Sequence, residues 1–169
     1  MPHVTWEDNA VPRRERPALQ SSDRKRQQYM YKHILIATDG SDIANKAIPH
    51  AIAQAKAFGS KLSAVTISEP YDAVIAAESH GDYNERSAES AAEILSFVTA
   101  SAEAAGIDCD TIHEQSRVPY EGIIAAAKKV AADLVVVGSH GRRGVEGLLL
   151  GSQTTKLLTH SKTPTLVVR

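Results

Sequence analysis

The sequence predicts a single α/β domain: a five-stranded parallel sheet in the order 3-2-1-4-5, doubly wound, with four helices over its two faces. Three observations predict it. From about residue 30 onward, apolar runs of strand length alternate with stretches of helical period, the signature of βαβ units. The run Leu134–Val137 is apolar without interruption, as a parallel strand covered on both faces requires. Crossovers between parallel strands are right-handed, which leaves few compact ways to arrange five of them.

Composition agrees with one domain and a tail. Of 169 residues, 43% are hydrophobic and 23% charged, the balance of an ordinary globular chain. The net charge of −1 gives no basic field to draw nucleic acid. Aromatics at 5% are too sparse for a surface that stacks on bases. Nucleic acid is therefore not an expected partner. The single cysteine, Cys109, has no second thiol for a disulfide, a CxxC pair or a metal site, and reads as a small strand residue. The first 30 residues lack the apolar stretch of a signal peptide, and no run reaches transmembrane length. No membrane association is expected, and a cytoplasmic protein is the default.

Residues 1–29 read as a disordered tail and residues 30–169 as the domain. The tail has almost no apolar period and carries six basic against four acidic residues, too little to bury for ordering itself. The cluster Arg13, Arg14, Arg16, Arg24, Lys25 and Arg26 leaves open a nucleic-acid- or partner-binding arm, and Trp6 is its one candidate for docking.

Each element has its own justification. His33–Ala37 is a short strand that ends in the breaker and cap residues Thr38-Asp39-Gly40-Ser41. Ala44, Ala47, Ile48, Ala51, Ile52, Ala55 and Phe58 recur at helical spacing up to Gly59. Pro49 lies inside this helix and should distort its early turns. Leu62–Ile67 is the second strand, and a long connection runs through Tyr83. Glu78, His80 and Asp82 in that connection are candidates for a lid, with a solvated loop as the alternative. An Ala-rich helix through Ala88, Ala91, Leu95, Val98 and Ala102 follows, stopped by Gly106. Residues 108–115 form a half-polar strand near an edge. Pro119 opens the next helix, Leu134–Val137 is the fourth strand, Ser152–His160 a short helix and Thr165–Val168 the last strand.

In a sheet of this order, ligands sit beyond the strand C-termini where the order reverses, between strands one and four. The two exits there are Thr38-Asp39-Gly40-Ser41 and Gly138-Ser139-His140-Gly141. Glycines at 138, 141, 144, 147 and 151 are half of the ten in the chain. Glycine accepts positive φ and has no Cβ, so such a backbone can curl round a ligand and present N–H groups. Gly151-Ser152 opens a helix, whose first turn has free N–H groups and the positive end of the dipole. Ser152 suits a helix cap or a phosphate donor, and Arg142 and Arg143 suit phosphate charge. The pattern favours a polyphosphate anion, with a flexible, glycine-capped surface loop as the bland alternative. Neither GxxxxGK[ST] nor GxGxxG occurs.

Gly138-Ser139-His140-Gly141, nine further residues and Gly151-Ser152 together resemble the G-x2-G-x9-G-[ST] pattern of nucleotide-binding universal stress proteins. The opening Ile34–Ser41 and the ending Thr163–Arg169 resemble the first and last strands of that family. The resemblance spans residues 30–169. It implies a Rossmann-like domain related to the adenine nucleotide alpha hydrolases, binding ATP or another adenine nucleotide with Mg²⁺ or Mn²⁺. It implies that Gly138, Gly141, Gly151 and Ser152 cradle phosphate, with Gln153 and Thr154 adding contacts. Asp39 would face the adenosine, Ala37 and Thr38 would line its wall, and the Ile67 backbone would hold the adenine edge. Ser139, His140 and Arg142 complete the expected site. Position 153 is often small and aliphatic in the family, and Gln153 departs from that.

The resemblance further implies a regulatory stress-response protein rather than an enzyme, with slow, incidental ATP hydrolysis. It also implies a homodimer, paired through the edge strand 165–168. Two other readings stay open: a nucleotidyl- or phosphotransferase on the same fold, though HxGH is missing, and a dimeric interaction module without nucleotide. Seven scattered histidines show no metal-site spacing.

Overall fold

The structure is a computed structural model, and it describes residues 30–72, 79–141 and 150–169. In chain order these residues form β1 (His33–Ala37), α1 (Asp42–Asn45), α2 (Ala47–Phe58), β2 (Lys61–Ser68) and α3 (His80–Ala104). They continue with β3 (Cys109–Gln115), α4 (Pro119–Lys129), β4 (Leu134–Gly138), α5 (Ser152–His160) and β5 (Thr165–Val168). The sheet runs β3-β2-β1-β4-β5 and every pairing is parallel, the predicted order. Its centre is β1, where Ile36 lies beside Ala64 of β2 and Val136 of β4.

Alternate residues of the central strands serve two cores. Ile34, Ile36, Leu62, Ala64 and Val136 pack with Ile48, Ile52, Leu95 and Val98 of α2 and α3. Leu35, Ala37, Val65, Val135 and Val137 pack with Ala126, Ala127 and Leu157 of α4 and α5. Both faces are covered, so Ile34–Ala37 of β1 and Leu134–Val137 of β4 are apolar without interruption, while β2 also buries Ser63 and Thr66. Each buried Ile, Leu or Val contributes about 1.5–3 kcal/mol. On β3, every residue is exposed or half-buried and none is fully buried, because it is an edge with one neighbour.

Pro49 acts as expected. Lys46 keeps helical angles (φ −60°, ψ −24°), yet the helix is divided there into α1 and α2. Proline at 49 has no N–H for the carbonyl of Asn45, so one rung of the ladder is lost while the axis continues. With α1 and α2 taken as one interrupted helix, the four predicted helices are present.

The start of α3 differs from the sequence reading. The helix begins at His80, so His80, Asp82 and Tyr83 lie in its first turns and not in a connecting loop. Ser79 caps it: its Oγ accepts from the Asp82 N–H at 3.2 Å and donates to Asp82 Oδ2 at 2.7 Å. Tyr83 then donates its hydroxyl to the Glu69 carbonyl at 2.8 Å, and Tyr71 packs edge-on against His80 and Tyr83. These contacts outweigh the helix-weakening Gly81. Glu78, Arg143, Gly144, Gly147 and the tail 1–29 with Trp6 lie outside the described residues.

Candidate functional site

At the C-terminal ends of the strands lies a cleft of about 770 Å³. It opens between β1 and β4, where the strand order reverses. Its floor is Ala37, Val65 and Val137, and α4 and α5 add Ile123 and Leu157. Its polar rim comes from the two exit turns, the start of α5 and the first half of α3.

The β1 exit is braced from within. Thr38 is buried; its hydroxyl donates to Asn45 Oδ1 at 3.2 Å and accepts the Gly40 N–H at 3.1 Å. Asp39 Oδ1 accepts from both the N–H (3.1 Å) and the hydroxyl (2.7 Å) of Ser41, an Asx turn. Gly40 has φ 79°, which explains the glycine there. Ser41 then caps α1 by accepting the Ala44 N–H at 3.3 Å.

The β4 exit is built by close approach. A Cβ on Gly138 would meet Ala44 Cα at 2.8 Å and Ile43 O at 3.0 Å, so Gly138 lets the strand end touch α1. Gly151 donates its N–H to the Ser139 carbonyl at 2.8 Å, and Ser139 donates its own to Val168 O at 2.6 Å. Thr154 donates its hydroxyl to the Gly138 carbonyl at 3.1 Å. Together these bonds dock the start of α5 on the end of β4. Gly151 is the N-cap of α5 and supplies no side-chain cap, so the first-turn N–H groups, which lack intrahelical acceptors, have no cap among the described residues. The positive end of the helix dipole lies at the same place.

The structure brings together Ala37, Thr38, Asp39, Ile67, Gly138, His140, Gly141, Gly151, Ser152, Gln153 and Thr154, which all line the cleft. Ser139 lies beneath it, buried, with its backbone engaged as above. Arg142 lies outside the described residues. Two details correct the sequence reading. Ser152 is the first residue of α5 rather than its cap. Among the described residues, positive φ occurs in glycine only at 40, 59 and 106, so Gly138, Gly141 and Gly151 serve through the missing Cβ and not through φ. Gly151 itself has φ −67° and ψ 154°.

His140 is held by Ser139: Nδ1 and the serine Oγ are 3.1 Å apart. Its Nε2 is buried and has no partner among the described residues. Burying such a nitrogen unpaired costs about 1–3 kcal/mol, and the cleft is where a partner could enter.

Sequence reasoning missed the α3 and α4 side of the cleft, where Ser68, Arg86, Ser87, Ser90, Arg117 and Ile123 contribute. Arg117 Nη2 lies 3.7 Å from Asp72 Oδ2. The Ser87 Oγ is buried and, like His140 Nε2, unpartnered among the described residues. No local pattern marks these residues; only the sheet order brings α3 to this crevice. Among the described residues, no three His, Cys, Asp or Glu side chains gather as a metal site. Nor is any helix among them long and apolar enough to cross a membrane.

Fold and cleft together define a doubly wound α/β domain with its ligand crevice at the switch point. The chain belongs to the universal stress protein family, whose model matches residues 30–169. It is 35% identical over 142 residues to universal stress protein MJ0531 of Methanocaldococcus jannaschii, covering 83% of either chain. Among solved structures, it is 27% identical to a universal stress protein in complex with cAMP, with TM-score 0.61 over 82% of this chain and 97% of that one. It is also 27% identical to the protein MJ0577, with TM-score 0.72 over 82% and 96% of the two chains.

Proposed function

We propose that this protein binds an adenine nucleotide in the cleft, with ATP as the leading ligand, and that it acts as a cytoplasmic regulatory stress-response module. The observation that carries this reading is the first turn of α5, uncapped among the described residues, which opens into a cleft whose floor is apolar. Uncapped N–H groups and a helix dipole suit phosphate, while Ala37, Ile67 and Val137 suit a purine ring. The cAMP complex of a relative supports the adenine assignment. In this arrangement Gly141, Gly151, Ser152 and Thr154 face the phosphates, and Asp39 faces the ribose.

Mg²⁺ or Mn²⁺ would arrive with the triphosphate. The donors present fit that role: a hard cation keeps waters and phosphate oxygens as ligands and needs few protein groups. The ion would supply charge neutralisation along the phosphate chain. ATP turnover is expected to be slow and incidental, and the protein is read as a sensor rather than an enzyme.

A homodimer through β5 completes the proposal. The carbonyls of Pro164 and Val168 both bond toward β4, so by alternation Thr165 and Val167 turn their N–H and C=O groups outward. An open edge of this kind pairs with an identical strand. Calorimetric titration with Mg·ATP tests the binding and sedimentation tests the dimer.

A further inference from the structure

The side chain of Gln153 leaves its own helix and serves another. Its Oε1 accepts the backbone N–H of Tyr120 at 3.3 Å. Tyr120 is the second residue of α4, in the first turn, where N–H groups have no intrahelical acceptor. Val118, the N-cap of α4, makes no side-chain cap, and Pro119 at the first position has no N–H to offer. Gln153 therefore supplies from α5 the cap that α4 lacks.

The tie is reinforced around the Tyr120 ring. Lys156 Nζ lies 5.8 Å from its centroid, and His160 packs against it at 5.1 Å. Three residues of α5, at positions 153, 156 and 160, thus hold one residue of α4. Pro119 and Gln153 both line the cleft, so the bond spans two of its walls.

We infer that Gln153 is a positioning residue, whose side chain fixes the first turn of α5 against α4 so that its backbone N–H groups meet phosphate. This rests on the nucleotide reading above and deepens it. An aliphatic residue at 153 would leave the Tyr120 N–H without this acceptor and the α5 turn free to shift. The expected ligand effect is confined to phosphate, because the purine end of the cleft is built from other residues.

The test compares the native protein with Gln153→Met, which keeps length and removes the acceptor, and Gln153→Glu, which keeps an acceptor. Amide exchange at Tyr120, read by NMR without nucleotide, should quicken in Gln153→Met and stay slow in Gln153→Glu. Titration of Gln153→Met should show Mg·ATP affinity falling about fivefold, the size of one weakened N–H···phosphate bond from the loosened turn, with adenosine affinity unchanged. Unaltered exchange at Tyr120 in Gln153→Met overturns the cap. Equal weakening of ATP and adenosine overturns the positioning role and leaves a helix cap alone. If the native protein binds no nucleotide, the positioning role falls with the proposed function, while the exchange data still decide the cap.

Discussion

The backbone of Gly141 runs so close to Asp39 that a Cβ on it would stand 2.5 Å from the carboxylate Oδ2. The β4 exit is thereby pressed onto the β1 exit across the switch point. Swinging Asp39 aside would loosen the Asx turn that its other oxygen holds through Ser41. Gly141→Ala should therefore displace the carboxylate. We expect a small stability loss, about 1 kcal/mol, because the clashing atom is a side-chain tip. Mg·ATP affinity should fall at least tenfold. Thermal melts and calorimetry on the same preparation check both numbers.

Gly138→Ala should behave in the opposite way. The obstacle is backbone, Ala44 Cα at 2.8 Å and Ile43 O at 3.0 Å, and neither moves without moving α1. A stability loss of about 1–3 kcal/mol is expected, as for other overpacked sites. Urea denaturation reads it, and an unchanged midpoint would contradict the packing role given to Gly138.

These two glycines show where the sequence was legible. Strand order, helix count and the meeting of two exit turns follow from periodicity and the handedness of crossovers, and they were readable. The exit glycines were readable as a cluster, but not by role. A clash with Ala44 or Asp39 depends on residues about 100 positions away. The start of α3 was missed although a local signal existed: Ser79 and Asp82 stand at capping-box spacing, with Gly81, which reads as a breaker, between them. Gln153 was visible as a departure from the family pattern, whereas its partner Tyr120 could come only from the packing of α4 on α5.

The open edge of β5 carries a prediction of its own. Val167→Pro removes an outward N–H while sparing the bonds of Pro164 and Val168 to β4. The native protein should sediment as a dimer, and the variant should shift toward monomer with its circular dichroism preserved. A native monomer at every concentration would rule out the edge pairing.

Cys109 offers a pH test. Burial first, and then the charge of Asp110, push its thiol from 9.0 up to about 11. The native state keeps this proton while the unfolded chain loses it. The contribution to stability is thus fully present below about pH 9 and fades as pH rises through 11. Between pH 8 and pH 10.5 the native protein should lose more stability than Cys109→Ala does. Alkylation at pH 8 should also be slow, since the thiolate is the reactive form.

The central claim is that nucleotide binds at the uncapped turn of α5, and Gly151 is where it is most open to test. A Cβ there would lie 3.3 Å from His140 Cα and from Ser139 O, tight but tolerable with a small shift. The backbone angles of Gly151 suit any residue. Gly151→Val should therefore fold, with branched methyl groups crowding the turn. Calorimetric titration of native protein and variant with Mg·ATP is the measurement to make. Micromolar-range binding by the native protein, lost in a folded variant, is the predicted result; no heat from the native protein, or equal binding by both, would contradict it.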